Sequence, residues 1–142
     1  MSTDPTIMKM VEYEDASDEV RAIYDDILSS RGLKEVPNAF KTFAAHPPTL
    51  RRIWNDLKEV MAPGALDPLT KEMIAVAVSI TNNCNYCTRS HTASARKLGM
   101  TDAMHGELLA VTGLFNQTNA LANGYKIPVD DAYMKSHSDE DR

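Results

Sequence analysis

Between Glu72 and His91 the chain reads Glu-Met-Ile-Ala-Val-Ala-Val-Ser-Ile-Thr-Asn-Asn-Cys-Asn-Tyr-Cys-Thr-Arg-Ser-His, and no other stretch constrains the fold as tightly. From Met73 to Ile80 only Ser79 is polar, which predicts a helix buried on nearly every side. Asp67-Pro68 starts that helix, with an acidic cap followed by proline at the first helical position. Thr81-Asn82-Asn83 turns the chain, and a second helix runs from about Cys84 to Leu98 until Gly99 closes it. The outcome is an antiparallel helical hairpin with both cysteines of the protein at its turn.

Other segments carry the same 3.6-residue period. Ser17 caps a helix whose inward stripe is Val20, Ile23, Tyr24, Ile27 and Leu28, and Gly32 stops it. A short helix capped at Asn38 carries Phe40, Phe43 and Ala44 and ends at His46-Pro47-Pro48. The next runs from about Thr49 to Met61, with Leu50, Ile53, Trp54, Leu57, Val60 and Met61 inward, and Ala62-Pro63-Gly64 breaks it. Thr101 or Asp102 caps a long final helix carrying Leu108, Leu109, Val111, Leu114, Phe115 and Leu121, which Gly124 and Pro128 stop. No stretch alternates as a strand would. The expectation is an all-α single domain over residues 1–142 with roughly six helices. Its core spans about 17–128, with weakly ordered segments at 1–15 and 136–142 and a frayed acidic tail from Ser138.

Composition narrows the function. The net charge is −5 and no run of Lys or Arg occurs, so the chain lacks the basic footprint that nucleic acid or an anionic membrane requires. Met1-Ser-Thr-Asp-Pro-Thr is no secretory signal, and the longest apolar run, Met73 to Val78, is too short to span a bilayer. The expected location is the cytoplasm, where two close cysteines point to catalysis, redox sensing or metal binding rather than a permanent bridge.

Cys84 and Cys87 stand three apart, on one face and close enough to bridge. A helix N-terminus lowers a thiol pKa, and a sulfenic acid formed on one sulfur is resolved by the other. His91 follows one turn after Cys87 and can take its proton. Glu72 and His91 each lie about 13–15 Å down the hairpin from Asn82, at similar height. That register suggests a relay in which Glu72 orients His91 and His91 serves Cys87. The dipole favours Cys84 as the more acidic thiol, whereas the His91 spacing favours Cys87.

Plainer readings exist for each residue. Lone cysteines are usually small core hydrophobes, and Glu72 could be a first-turn acid. Tyr86 either packs or offers its hydroxyl near the sulfurs. His46, His105 and His137 stand alone, while Trp54 and the methionines read as core. Zinc held by Cys84, Cys87, His91 and Glu72 lacks the usual second ligand pair, so neither metal nor cofactor is expected.

Glu72, Cys84-Asn-Tyr-Cys87 and His91 are followed by Ala-Arg-Lys-Leu-Gly and by a long helix with Leu-Phe-Asn and Leu-Ala-Asn-Gly. Together with Val36-Pro-Asn-Ala-Phe and Pro63-Gly-Ala-Leu-Asp-Pro upstream, this pattern resembles the alkylhydroperoxidase D-like branch of the carboxymuconolactone decarboxylase family over about residues 20–130. The resemblance implies an all-helical homo-oligomer, a trimer or hexamer, that reduces hydroperoxides. It implies that Cys87 attacks and Cys84 resolves, with Glu72 and His91 as the proton relay. A lipoyl or thioredoxin-like dithiol partner would regenerate the thiols. Members often carry histidine where this chain has Tyr86, and a tyrosine cannot serve as base near neutral pH. Rival functions are a non-peroxidatic thiol-disulfide oxidoreductase, a redox sensor, and a carboxylactone decarboxylase, whose branch does not rely on a cysteine pair.

Overall fold

The computed structural model describes residues 7–134, and the tail from Ser138 lies outside them. Seven α-helices follow in order: α1 Asp18–Arg31, α2 Asn38–Phe43, α3 Pro47–Met61, α4 Pro68–Thr81, α5 Asn85–Lys97, α6 Asp102–Tyr125 and α7 Asp131–Met134. A single 3-10 turn, Tyr13–Asp15, precedes them, and the described residues contain no strand. The chain divides into two compact units, Met1–Ala62 and Pro63–Arg142.

In the first unit, α1 begins where Ser17 Oγ accepts the Val20 amide and ends at Gly32, whose φ of 62° is the left-handed conformation that glycine adopts without strain. α3 opens two residues earlier than its sequence signal, because both Pro47 and Pro48 fit its first turn and His46 takes the cap position. Pro37, not Asn38, caps α2, and Asn38 is already helical. Tyr24, Ile27, Phe40, Leu50 and Trp54 form the centre of one apolar cluster. Phe40 meets Trp54 edge to face at 5.7 Å, and the Trp54 indole N–H donates to Asp26 at 2.7 Å. The expected inward positions Ile53 and Val60 are instead open on α3. Residues 9–16 are pinned to this core: the Val11 amide donates to Lys41 O, and the Tyr24 hydroxyl donates to Val11 O at 2.8 Å.

The second unit is built on the hairpin of α4 and α5, with α6 packed along α4. Asp67 caps α4 by accepting the Thr70 amide, and Thr101 caps α6 by accepting the Met104 amide. α4 is not buried on every side within the chain: Glu72, Val76 and Ser79 face inward, while Ile74 and Val78 are 48% and 52% exposed. Gly124 does not stop α6. The helix continues through it and ends where Lys126 turns left-handed, since one glycine only weakens a helix by about 1 kcal/mol. α7 carries no signal that the periodicity resolves.

Candidate active site at the hairpin turn

Three residues make the turn that presents the cysteines. Asn82 ends α4, Asn83 adopts φ 57°, and Cys84 follows. The Asn83 amide donates to Ile80 O at 3.1 Å and the Cys84 amide to Ser79 O at 2.9 Å. This is the paired bonding of a Schellman cap, with asparagine in the left-handed position usually held by glycine. The cap aims Cys84 directly into the start of α5. Its sulfur then acts as the N-cap acceptor, taking the Cys87 amide at 3.2 Å, and its carbonyl accepts the Thr88 amide at 2.9 Å. Cys84 therefore precedes α5 instead of lying in its first turn.

Cys84 and Cys87 form a disulfide across a Cα separation of 5.3 Å, within the span a bridge requires. The structure thus holds the oxidised pair. Both residues are half-buried.

One turn beyond Cys87, His91 Nδ1 lies 2.7 Å from Glu72 Oε2. The Glu72 side chain is only 9% exposed and that of His91 23%. An acid buried on α4 needs a partner, and His91 supplies it. With Nδ1–H donating to the carboxylate, Nε2 is the nitrogen left to accept a proton. The antiparallel register thus brings Glu72 and His91 together, as the equal-height estimate requires. Tyr86, at the second position of α5, is half-exposed.

Among the described residues no group of three or more His, Cys, Asp and Glu side chains is arranged to hold a metal ion. Nor is any described helix long and apolar enough to cross a membrane. The buried hydroxyl of Ser79 is satisfied within α4 by donating to Ala75 O. Sequence reasoning missed two features. One is the sulfur cap itself, whose only signal was an asparagine before Cys84. The other is His105, which lies 3.3 Å from Arg96 Nη2 across the start of α6.

Residues 47–130 match the model of the Carboxymuconolactone decarboxylase family. A curated protein of Paracoccus denitrificans, uncharacterized protein 4 in cox locus, is 38% identical over 69 residues, or 49% of this chain. The match covers 62% of that relative's length. The crystal structure of the alkylhydroperoxidase AhpD core of Rhodospirillum rubrum superposes with a TM-score of 0.87 at 46% identity, covering 92% of this chain and 98% of that one. A peroxidase-related protein of Silicibacter sp., at 22% identity and a TM-score of 0.53, shares the fold over 93% of this chain and 98% of its own.

Proposed function

Because the chain belongs to the carboxymuconolactone decarboxylase family, in its alkylhydroperoxidase D-like branch, we propose that it is a thiol-dependent peroxidase that reduces hydroperoxides through Cys84 and Cys87. One observation carries the reading: a buried carboxylate, Glu72, bonded to His91 Nδ1 one turn from a redox-spaced cysteine pair. A structural disulfide alone would not need that hydrogen-bonded pair.

In the reduced protein His91 Nε2 takes the proton of Cys87, and Glu72 stabilises the resulting imidazolium. The thiolate attacks the terminal peroxide oxygen; the O–O bond breaks, and the alkoxide leaves as alcohol once protonated by His91. Cys87 is now a sulfenic acid. The Cys84 thiol attacks its sulfur, hydroxide leaves as water, and the disulfide closes. Two thiols have given two electrons to one peroxide. Capping by the Cys87 amide and the α5 dipole lower the cost of a Cys84 thiolate. Cys84 is thereby suited to resolve the sulfenic acid and later to leave when a dithiol reductant, lipoyl or thioredoxin-like, attacks Cys87.

Stopped-flow oxidation of the reduced protein by cumene hydroperoxide and hydrogen peroxide tests the reading. The expected result is rapid loss of two thiols per chain, abolished in Cys87→Ser. Exchange with a dithiol but no reaction with either peroxide would replace the peroxidase with a thiol-disulfide oxidoreductase or sensor.

Homo-oligomeric assembly, as a trimer or hexamer, is part of the same proposal. It is supported by the open apolar side chains Ile74 and Val78 on α4 and Val111, Leu114 and Phe115 on α6, which a monomer would leave in water. Light scattering should give a multiple of the chain mass, and Phe115→Glu should lower it. A wild-type monomer at working concentration would remove the assembly.

A further inference from the structure

Ser79 is the one polar side chain between Met73 and Ile80, and it sits on the inward stripe of α4 at 7% exposure. Its hydroxyl donates to Ala75 O at 2.6 Å within the same helix. The helix does not need that bond, and alanine is the better helix former. What the position does face is Cys84. In the Schellman cap at the turn, the Cys84 amide donates to Ser79 O at 2.9 Å as the outer bond of the motif. The two residues joined by that bond commonly bring their side chains into contact, usually as an apolar pair. Here the pair is a hydroxyl and a sulfur.

The hairpin register points the same way. Seven residues, or two turns, down each arm from Ser79 and Cys84 lie Glu72 and His91, whose side chains meet at 2.7 Å. The buried stripe of α4 that carries Glu72, Val76 and Ser79 therefore faces the stripe that starts at Cys84 and carries His91. The Cys84 sulfur already takes the Cys87 amide at 3.2 Å. A neutral sulfur is a weak acceptor, whereas a thiolate carries a full charge. The Ser79 hydroxyl has one hydrogen and turns about its Cβ–Oγ bond, so it serves one acceptor at a time.

We propose that Ser79 is the second donor to the Cys84 thiolate, its hydroxyl turning from Ala75 O to the sulfur when the disulfide opens. When a dithiol reductant such as dithiothreitol attacks, one of its thiolates bonds to Cys87 Sγ, the S–S bond breaks, and the electron pair leaves on Cys84 Sγ. The Cys87 amide and the Ser79 hydroxyl hold that charge, and the Ser79 proton stays on its oxygen. The reductant's second thiol loses its proton to water and displaces Cys87 as a thiolate, which closes the reductant's own disulfide. Use of the Cys84 thiolate in a peroxide cycle rests on the reading above, whereas its hydrogen bond to Ser79 does not.

The test titrates Cys84 alone, by the ultraviolet absorbance of its thiolate, in the full-length Cys87→Ser protein. Adding Ser79→Ala should cut the thiolate fraction about tenfold at any pH well below the midpoint, the size of one hydrogen bond to a charged group. Ser79→Thr in the same background should restore it, because the hydroxyl returns. Both substitutions leave the charged groups of the hairpin in place, Glu72 on His91 and Arg89 on Asn85. An unshifted titration in Ser79→Ala would overturn the proposal even if the unfolding midpoint fell, since a hydroxyl that only packs α4 moves stability and not the thiol. An equal shift in the alanine and threonine variants would also overturn it, by assigning the effect to packing. With Cys87 intact, Ser79→Ala should slow opening of the disulfide by dithiothreitol a few-fold, because a less stable thiolate leaves more slowly. An unchanged rate would count against the donor in the same way. If no peroxide reacts but the thiolate fraction falls as expected, the peroxidase is lost and the Ser79 bond stands; peroxide reduction with an unshifted Cys84 does the reverse.

Discussion

Nine apolar side chains are buried in the described part of Met1–Ala62, among them Tyr24, Ile27, Leu50 and Trp54, but only four in the described part of Pro63–Arg142. Those four, Val76, Ala95, Met100 and Leu108, share the interior with Glu72, Ser79 and Thr112. The first unit is an ordinary apolar core with aromatic contacts. The second holds in its interior a carboxylate that the proposed chemistry uses and leaves leucines and valines of α4 and α6 open. Under the proposed function, stability and reactivity are separately placed along this chain, and the unit that carries the cysteines is the one with surface left to cover.

Exchanging single residues should break that contrast most sharply at the sulfurs. Cys87→Ser is expected to lower peroxide turnover by about a thousandfold or more with no change in helical content by circular dichroism. Cys84→Ser should consume one peroxide and stop at the sulfenic acid, which mass spectrometry of the dimedone adduct reports. The opposite signature belongs to the first unit. Trp54→Ala removes the partner of Phe40 and of Asp26 and should cost about 3–5 kcal/mol by chemical denaturation. The folded fraction of that variant should still lose two thiols per chain to peroxide. Equal damage to both properties by either substitution would erase the division.

The relay should respond on an intermediate scale. Glu72→Gln keeps a hydrogen-bond partner for His91 but removes the charge that stabilises its imidazolium, so thiol oxidation should slow by about 10–100-fold. His91→Ala should act in the same direction. A rate unchanged in both variants would reduce the Glu72–His91 bond to a packing device.

How much of this could be read from residues alone depends on whether the cause is local. Ser17, Gly32, Asp67-Pro68 and Thr101 signal their helix ends because a cap bonds within its own turn. The Glu72–His91 pair is legible too, since a three-residue turn fixes the height of everything on both arms. The exposure of Ile74 and Val78 was not, because hydropathy says that a surface must be covered and not which chain covers it. The continuation of α6 through Gly124 escaped for a different reason: a single glycine weakens a helix by only about 1 kcal/mol and does not by itself end one. The Arg96–His105 contact joins two helices across a loop, so no spacing rule on either helix announces it.

Smaller effects test the first unit against alkali. Burial pushes the Tyr24 phenol up to about 12 from its ordinary value of 10.0. A raised native pKa means that the stabilisation is complete below the unfolded value and is lost as pH climbs towards the native one. Wild-type stability should therefore fall more steeply between about pH 10 and 12 than that of Tyr24→Phe. At neutral pH the same variant should be weaker by about 1 kcal/mol, because the bond to Val11 O is gone. Parallel curves in alkali would mean that Tyr24 is not protected from titration by the core.

The smallest expected change lies back at the reactive turn. Asn83 holds φ 57°, a conformation that costs an ordinary L-residue about 1 kcal/mol and glycine almost nothing. Asn83→Ala should thus lower the unfolding midpoint slightly, while Asn83→Gly should match or exceed the wild type. The informative readout is the sulfur. The Schellman cap sets where Cys84 enters α5, so Asn83→Ala should slow closure of the disulfide after the first oxidation, and the initial attack by Cys87 should keep its rate. Rapid-quench alkylation separates the two steps. If alanine slows both equally, the turn serves the whole hairpin; if it slows only closure, the local backbone sets the resolving step, and the reactive unit keeps its precision in its caps more than in its core.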